Sequence, residues 1–236
     1  MAVEIIPAIM PVSFNDLKEK LGAVSGLVST VQIDVMDGVF VPPKSWPYTK
    51  GGPQEFAQVA SEKESLPYWK TLNFEADLMV GAPESAVFDW IHAGAKRIIV
   101  HIESTDDFGG IIELLKKKFK SGEELDVSVA ELGIALNTTT PNERIHQFID
   151  SVDFVQCMGI ARIGYQGEPF DRRVLPKISA LRGMRPEIII SVDGGVDLET
   201  APKLIEVGVN RLAVGSAIFE SENIKETIQK FKGLPS

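Results

Sequence analysis

Short apolar runs rich in β-branched residues alternate with segments of helical spacing along the whole chain. Residues 3–9, 31–36, 70–79, 97–102, 131–136, 152–160, 187–192 and 211–214 read as strands. Segments 14–24, 53–62, 83–93, 106–119, 141–149, 171–181, 198–207 and 224–231 read as the helices that follow them. End signals agree with this reading. Ser13 is placed to cap the first helix, and Pro83 suits a first helical turn. Asp106 or Asp107 near the start of the fourth helix and Lys116, Lys117 and Lys118 near its end match the helix dipole. The stretch 40–52, with Pro42, Pro43, Pro47, Gly51 and Gly52, is long enough for a lid or binding loop, and 164–168 is a second loop. Short apolar strands separated by helices imply a parallel sheet covered on the outside. Eight such units in 236 residues fit a (β/α)8 TIM barrel, with 1–236 as one domain. An open doubly wound sheet is the rival, but its dinucleotide-binding form lacks support because no Gly-x-Gly-x-x-Gly follows the first strand.

Composition narrows the function classes. A net charge of -9 argues against nucleic acid, which needs a basic surface, although a few local donors can still hold a small anion. The single cysteine, Cys157, rules out an internal disulfide and fits a reducing compartment. No basic-then-apolar leader and no apolar run long enough to span a bilayer are present, so a soluble, cytoplasmic protein is expected.

In a barrel the chemistry sits at the C-terminal ends of the strands. The polar residues there are Gln32, Asp34, Asp37, Glu75, Asp77, His101, Glu103, Asn137, Arg162, Gln166, Asp193 and Ser216. Asp34 and Asp193 stand out because each ends an apolar strand, where an unpaired carboxylate is costly. The remaining carboxylates are expected in large part to cap helices or face solvent. His101, on a buried strand, reads first as hydrogen-bonded structure, and His92 and His146 as surface residues. Gly194-Gly195 and Gly215-Ser216 end successive strands, with Gly164, Gln166 and Gly167 as a third wall. Glycines let backbone amides approach an anion, so a phosphate site is expected there.

These stretches resemble the ribulose-phosphate 3-epimerase family in order and over nearly the whole chain. The matching segments include Ile5-Ile6-Pro7-Ala8-Ile9, Gln32-Ile33-Asp34-Val35-Met36-Asp37-Gly38, Glu75-Ala76-Asp77-Leu78-Met79-Val80, Val100-His101-Ile102-Glu103, Asp193-Gly194-Gly195 and Gly215-Ser216-Ala217-Ile218-Phe219. The resemblance implies two-base proton transfer at the carbon beside a ketone, through an enediolate, with Asp34 and Asp193 as the bases. The substrate would be a small phosphorylated ketose, a pentulose or hexulose phosphate. Met36, Met79 and Met158 match methionines that line the family's pocket, or are simply core filler. The family holds a divalent metal with two histidines and the same two aspartates. Here the histidine positions carry Gln32 and Asp77, and the family's serine on the first strand is Ala8.

The loss of both imidazoles removes the zinc or iron ligands. The remaining oxygen set, Gln32, Asp34, Asp77 and Asp193, suits magnesium or manganese if a cation binds. Three readings remain open at this point: an epimerase-like enzyme with a hard cation, a metal-free one in which Arg162 or another donor stabilises charge, and an inactive sugar-phosphate-binding or regulatory homologue. The related decarboxylase and synthase barrels use Asp-x-Lys-x-x-Asp, which Asp34-Val35-Met36-Asp37 lacks. Relatives commonly form oligomers, so a homo-oligomer is expected. Trp46 and Tyr165 either shape the sugar pocket or pack the loops.

Overall fold

The computed structural model describes residues 3–120 and 130–235; the expected span 1–236 thus includes 1–2, 121–129 and 236, which lie outside the described residues, as does the side chain of Lys118. The chain runs β1 (Glu4–Ile9), α1 (Phe14–Val24), β2 (Thr30–Met36), α2 (Gly52–Ala60), β3 (Asn73–Met79), α3 (Pro83–His92), β4 (Ala95–His101), α4 (Phe108–Lys120) and β5 (Glu131–Leu136). A 3-10 turn (Asn142–Ile145) follows. Then come β6 (Phe154–Met158), α5 (Val174–Met184), β7 (Ile189–Asp193), α6 (Ala201–Glu206), β8 (Arg211–Val214), α7 (Ser216–Phe219) and α8 (Ile224–Lys232). The strands close in sequence order, and β1 pairs in parallel with both β2 and β8. This is the expected (β/α)8 barrel. Among the described residues, no helix is long and apolar enough to cross a membrane.

Two elements differ from the sequence expectation. The helix expected at 141–149 is a 3-10 turn continued by tight i→i+3 bonds, Phe148 N to Ile145 O at 2.9 Å and Ser151 N to Phe148 O at 2.8 Å. Lys177 holds its entry from outside, donating to the Thr140 carbonyl and to Asn142 Oδ1. The glycine-ended turn after β8 continues directly into the one-turn helix α7, which is too short to show a period. Ser13 caps α1 as expected, accepting from Asp16 N at 3.1 Å.

Both faces of the strands are buried, but they face different surroundings. The outward side chains join the helices in one large apolar core that includes Ile33, Val35, Leu78, Val100, Val155, Val192 and Val214. The inward side chains form two polar levels, with an apolar layer that includes Ile99, Ala135 and Phe154 between them. At the N-terminal end Arg97 bonds Glu4, Glu75 and Glu131 at 3.1, 3.1 and 3.2 Å. Arg211 reaches Glu131 and Glu4 and lies over the Phe154 ring. Burial, partly offset by Arg97, pushes the Glu75 carboxyl up to about 7. Such a cluster sets strand register more than it adds net stability, because desolvating the charges offsets their attraction. The second level lies toward the C-terminal mouth and holds the site.

The loop 37–51 is fastened at its middle. Ser45 Oγ donates to Asp34 O at 2.6 Å and accepts from Met36 N at 2.9 Å. Trp46 is fully buried among Phe14, Phe56 and Trp90 and donates from its indole to Glu55. Trp46 therefore anchors the loop and does not shape the pocket. Phe40 and Val41, further up the loop, pack on Met36 and Met79 as a fixed wall.

Candidate active site

Strand register brings the site together. Asp34 stands opposite Asp77, Gln32 opposite Glu75, Ala8 opposite Gln32, and Met158 opposite Asp193. With side chains alternating along each strand, Gln32, Asp34, Asp77, Gln156 and Asp193 all enter the barrel. Each is buried, Asp34 at 5% and Asp193 at 8% exposure. One carboxylate oxygen each from Asp34, Asp77 and Asp193 lie within 4.8 Å of one another.

These acids are held by neutral or cationic donors. Gln32 Nε2 donates to Asp34 Oδ1 at 2.8 Å and to Asp193 Oδ2 at 3.0 Å, so one amide ties the two acids. His101 Nε2 meets Asp77 Oδ1 at 3.1 Å, and Gln156 Nε2 donates to Asp77 Oδ2 at 3.2 Å. Burial, then the charges of Asp193 and Asp77, pushes Asp34 well above the usual carboxylate range, against the Gln32 hydrogen bond. Burial, then the charge of Asp77, pushes Asp193 up to about 7, against Gln32, His101 and the Gly194 amide. For His101, burial works against the charged ring, but the charge and hydrogen bond of Asp77, with Glu103 and Asp193, outweigh it and raise its pKa. At neutral pH the Asp34–Asp193 pair is therefore suited to share a proton.

A stability prediction follows. Asp193 binds its proton more tightly folded than unfolded, so its contribution is full below about 3.8, the ordinary value, and is lost as pH climbs through about 7. Asp34 and His101 are raised too and act in the same direction. With a chelator present, urea melts should show stability falling from pH 5 to pH 8, by roughly 3 kcal/mol from Asp193 alone. A flat or rising profile would contradict the described burial of these acids.

The same cleft contains the glycine turns. It is lined by Asp34, Asp193, Met79, Met158, Gly164, Tyr165, Gln166, Gly167, Gly194, Gly195, Gly215 and Ser216, among others. Gly194 and Gly195 hold φ of 94° and 66°, in the left-handed region that glycine tolerates. A β-carbon on Gly195 would lie 2.8 Å from Phe170 Cα. The Gln166 amide reaches over Gly215, 3.0 Å from where its β-carbon would be. In the one-turn helix α7 the Ile218 and Phe219 amides donate to the Gly215 carbonyl at 3.0 and 3.1 Å, so only the Ser216 and Ala217 amides precede its first bonds.

Other sequence candidates lie elsewhere or act differently. Met36 sits behind the cleft, packed with Val41 and Met79. Asp37 staples loops, accepting from Val39 N at 2.8 Å and Gly81 N at 2.9 Å. Arg162 is 65% exposed, pairs with Glu168 at 3.2 Å and lies 3.9 Å over Tyr165, outside the residues that line the cleft. Glu103 accepts from Asn137 N and Thr140 Oγ1 beside His101. His146 is exposed and His92 half-buried. Sequence reasoning missed Gln156, although an amide on the otherwise apolar strand Phe154–Met158 was a visible signal. It also missed Gly159, whose role depends on a contact with Gly194 across strands.

The three carboxylates form a cluster that could bind a metal ion. Gln32 turns its Nε2 toward Asp34 and Asp193, so its Oε1, buried with no hydrogen-bond partner among the described residues, would join them as a fourth oxygen donor only with the amide turned over. An all-oxygen set fits a hard divalent cation such as magnesium or manganese.

Residues 4–219 match the Ribulose-phosphate 3 epimerase family. The chain is 30% identical over 237 residues to a ribulose-phosphate 3-epimerase of Bacillus subtilis, covering 98% of this chain and 99% of that one. It is 33% identical over 231 residues to the chloroplastic ribulose-5-phosphate-3-epimerase of Arabidopsis thaliana, covering 96% and 75%. Among solved structures it is similar to a ligand-bound KGPDC from Streptococcus mutans, with a TM-score of 0.69, 15% identity and coverage of 98% and 96%. A 3-hexulose-6-phosphate synthase gives a TM-score of 0.66 at 17% identity, with 98% of each chain covered. At these identities the two structures bear on the fold alone.

Proposed function

Because this chain belongs to the ribulose-phosphate 3-epimerase family, we propose that it epimerises a phosphorylated pentulose, ribulose 5-phosphate, at the carbon beside the ketone. The observation that carries the reading is that Asp34 and Asp193 share one cleft with the glycine turns after β7 and β8. One end of the cleft holds two coupled acids and the other an amide-rich cradle, as a phosphorylated ketose requires.

In this reading the amides around Gly194, Gly195, Gly215 and Ser216, with Gly164, Gln166 and Gly167 opposite, hold the phosphate. Met79 and Met158 face the sugar chain, with Met36 behind them. Asp34 and Asp193 act as the two bases, one taking a proton from one face of the carbon and the other returning one to the opposite face. That exchange needs one acid ionised and one protonated, the state their raised pKa values favour near neutral pH. Asp34, Asp77, Asp193 and Gln32 would hold a divalent cation, magnesium or manganese. When bound, such a cation would supply positive charge toward the enediolate oxygens. The binding-only alternative is not favoured, because both acids are present and the matched relatives are epimerases.

A cytoplasmic location and homo-oligomeric assembly belong to the same reading. The single buried Cys157 supports the first.

The test is isotopic. Wild-type protein incubated with ribulose 5-phosphate in heavy water, with and without Mn2+, should form the 3-epimer and place deuterium at carbon 3. Absence of exchange across ribulose 5-phosphate and hexulose phosphates, with each metal condition, would reject the enzyme reading.

A further inference from the structure

We propose that His101 and Gln156 are positioning residues, two buried donors that clamp the two oxygens of Asp77 and thereby hold it against the Asp34–Asp193 pair. This deepens the proposed reading of the cleft and rests on it.

Asp77 is wholly buried on β3. Its Oδ1 meets His101 Nε2 at 3.1 Å from the neighbouring strand β4. Its Oδ2 receives Gln156 Nε2 at 3.2 Å from β6, further round the barrel. Donors on both oxygens, from two different strands, define the plane of the carboxylate as well as its position. In this orientation one oxygen of Asp77 lies within 4.8 Å of an oxygen of Asp34 and of Asp193.

The two clamps are costly as packing. Gln156 Oε1 and His101 Nδ1 are buried without hydrogen-bond partners among the described residues. A buried polar atom without a partner is destabilising, and apolar side chains of similar size would fill these positions without that cost. The gain from both residues is therefore at Asp77. His101 is itself oriented from behind. Its Nδ1 side faces Glu103 Oε2 at 3.9 Å, and the ring packs on Phe40 with centroids 5.4 Å apart. Glu103 is fixed in turn by Asn137 N at 2.8 Å and by Thr140 Oγ1. The support runs outward from the acid to the rim, as it does for carboxylates held ready to take a cation.

The test uses the full chain with His101→Phe, His101→Asn, His101→Gln and Gln156→Leu. Glutamine can place an amide where the imidazole Nε2 stands, whereas asparagine is too short. Mn2+ affinity is read by calorimetry, and kcat and KM are read on ribulose 5-phosphate. His101→Phe, His101→Asn and Gln156→Leu should each weaken Mn2+ about 10- to 100-fold and lower kcat comparably with KM little changed. His101→Gln should stay within about 3-fold of wild type on both readouts. The Asn and Gln variants keep a polar side chain at the same position, so their difference remains informative if the Phe variant does not fold. Folded variants that bind Mn2+ and turn over like wild type, or that raise KM alone, would overturn the proposal. A wild type that binds Mn2+ without turnover defeats the epimerase reading while the affinity series still decides the clamp. One that turns over without binding Mn2+ leaves the decision to kcat. A wild type that does neither overturns both.

Discussion

Asp34→Asn should lower epimerisation and heavy-water exchange by roughly a thousandfold, the scale expected for losing a proton-transferring group. The substitution is nearly isosteric. Gln32 Nε2 donates to Asp34 Oδ1 at 2.8 Å, and the asparagine carbonyl can accept the same bond. Ser45 holds the Asp34 backbone carbonyl, which the change does not touch. Substrate affinity should therefore stay within a few fold, because the phosphate cradle is built from other strands. The stability effect has the opposite sign from the usual loss. Burial and the neighbouring acids push Asp34 above its ordinary range, so ionising it is unfavourable in the folded state. The metal-free Asn variant should be at least as stable as wild type at pH 8, with the advantage fading toward pH 4. Full exchange in this variant would remove Asp34 from the chemistry. A sharp loss of stability would mean that the acid is held by contacts other than those described.

Gly159→Ala should be the most damaging small substitution near the cleft. A β-carbon there would lie 2.2 Å from the Gly194 carbonyl oxygen, a backbone atom that cannot rotate away. Gly159 N also donates to Asp193 O at 2.6 Å, so displacing either strand end moves the proposed catalytic acid and the proposed phosphate cradle together. The contact lies between β6 and β7, where Met158 stands opposite Asp193. Overpacking of this kind costs about 1–3 kcal/mol. The activity loss should exceed what that instability explains, with KM for the phosphorylated substrate up about 10-fold or more and kcat reduced, since misplacements near 1 Å are costly in a proton-transfer site. Gly94→Ala is the control. Its φ is 95° with nothing within 4 Å of the added carbon, and it sits at the far end of the barrel. It should lose stability of about 1 kcal/mol from backbone strain alone and leave KM unchanged. Equal effects of the two changes on KM would show that the Gly159–Gly194 approach does not support the site.

Much of this architecture is local in origin and therefore legible in the chain. The apolar runs that become β2, β3 and β8 and the capped helix Phe14–Val24 follow from period, cap and strand propensity. Asp193 could be picked out because a carboxylate ending an apolar strand is conspicuous, and Asp34 because it interrupts one, although β2 continues past it to Met36; the glycine pairs after β7 and β8 were legible because turns at those places serve anions. The 3-10 turn Asn142–Ile145 was less legible, since its start is held by Lys177 from α5. Trp46 was ambiguous for the same reason: whether it faces sugar or core depends on Phe14, Phe56 and Trp90, which come from three other segments.

The sequence by itself determined eight alternating strand and helix segments and the positions of the two candidate bases, because the pattern of apolar and polar positions along a segment is a property of neighbours in the chain. Only the tertiary structure decided that one amide, Gln32, ties Asp34 to Asp193, that His101 and Gln156 clamp Asp77, and that Arg162 turns outward to Glu168. Those pairings join residues as far apart as Gln32 and Asp193. They depend on how eight strands close and tilt, which no local pattern encodes.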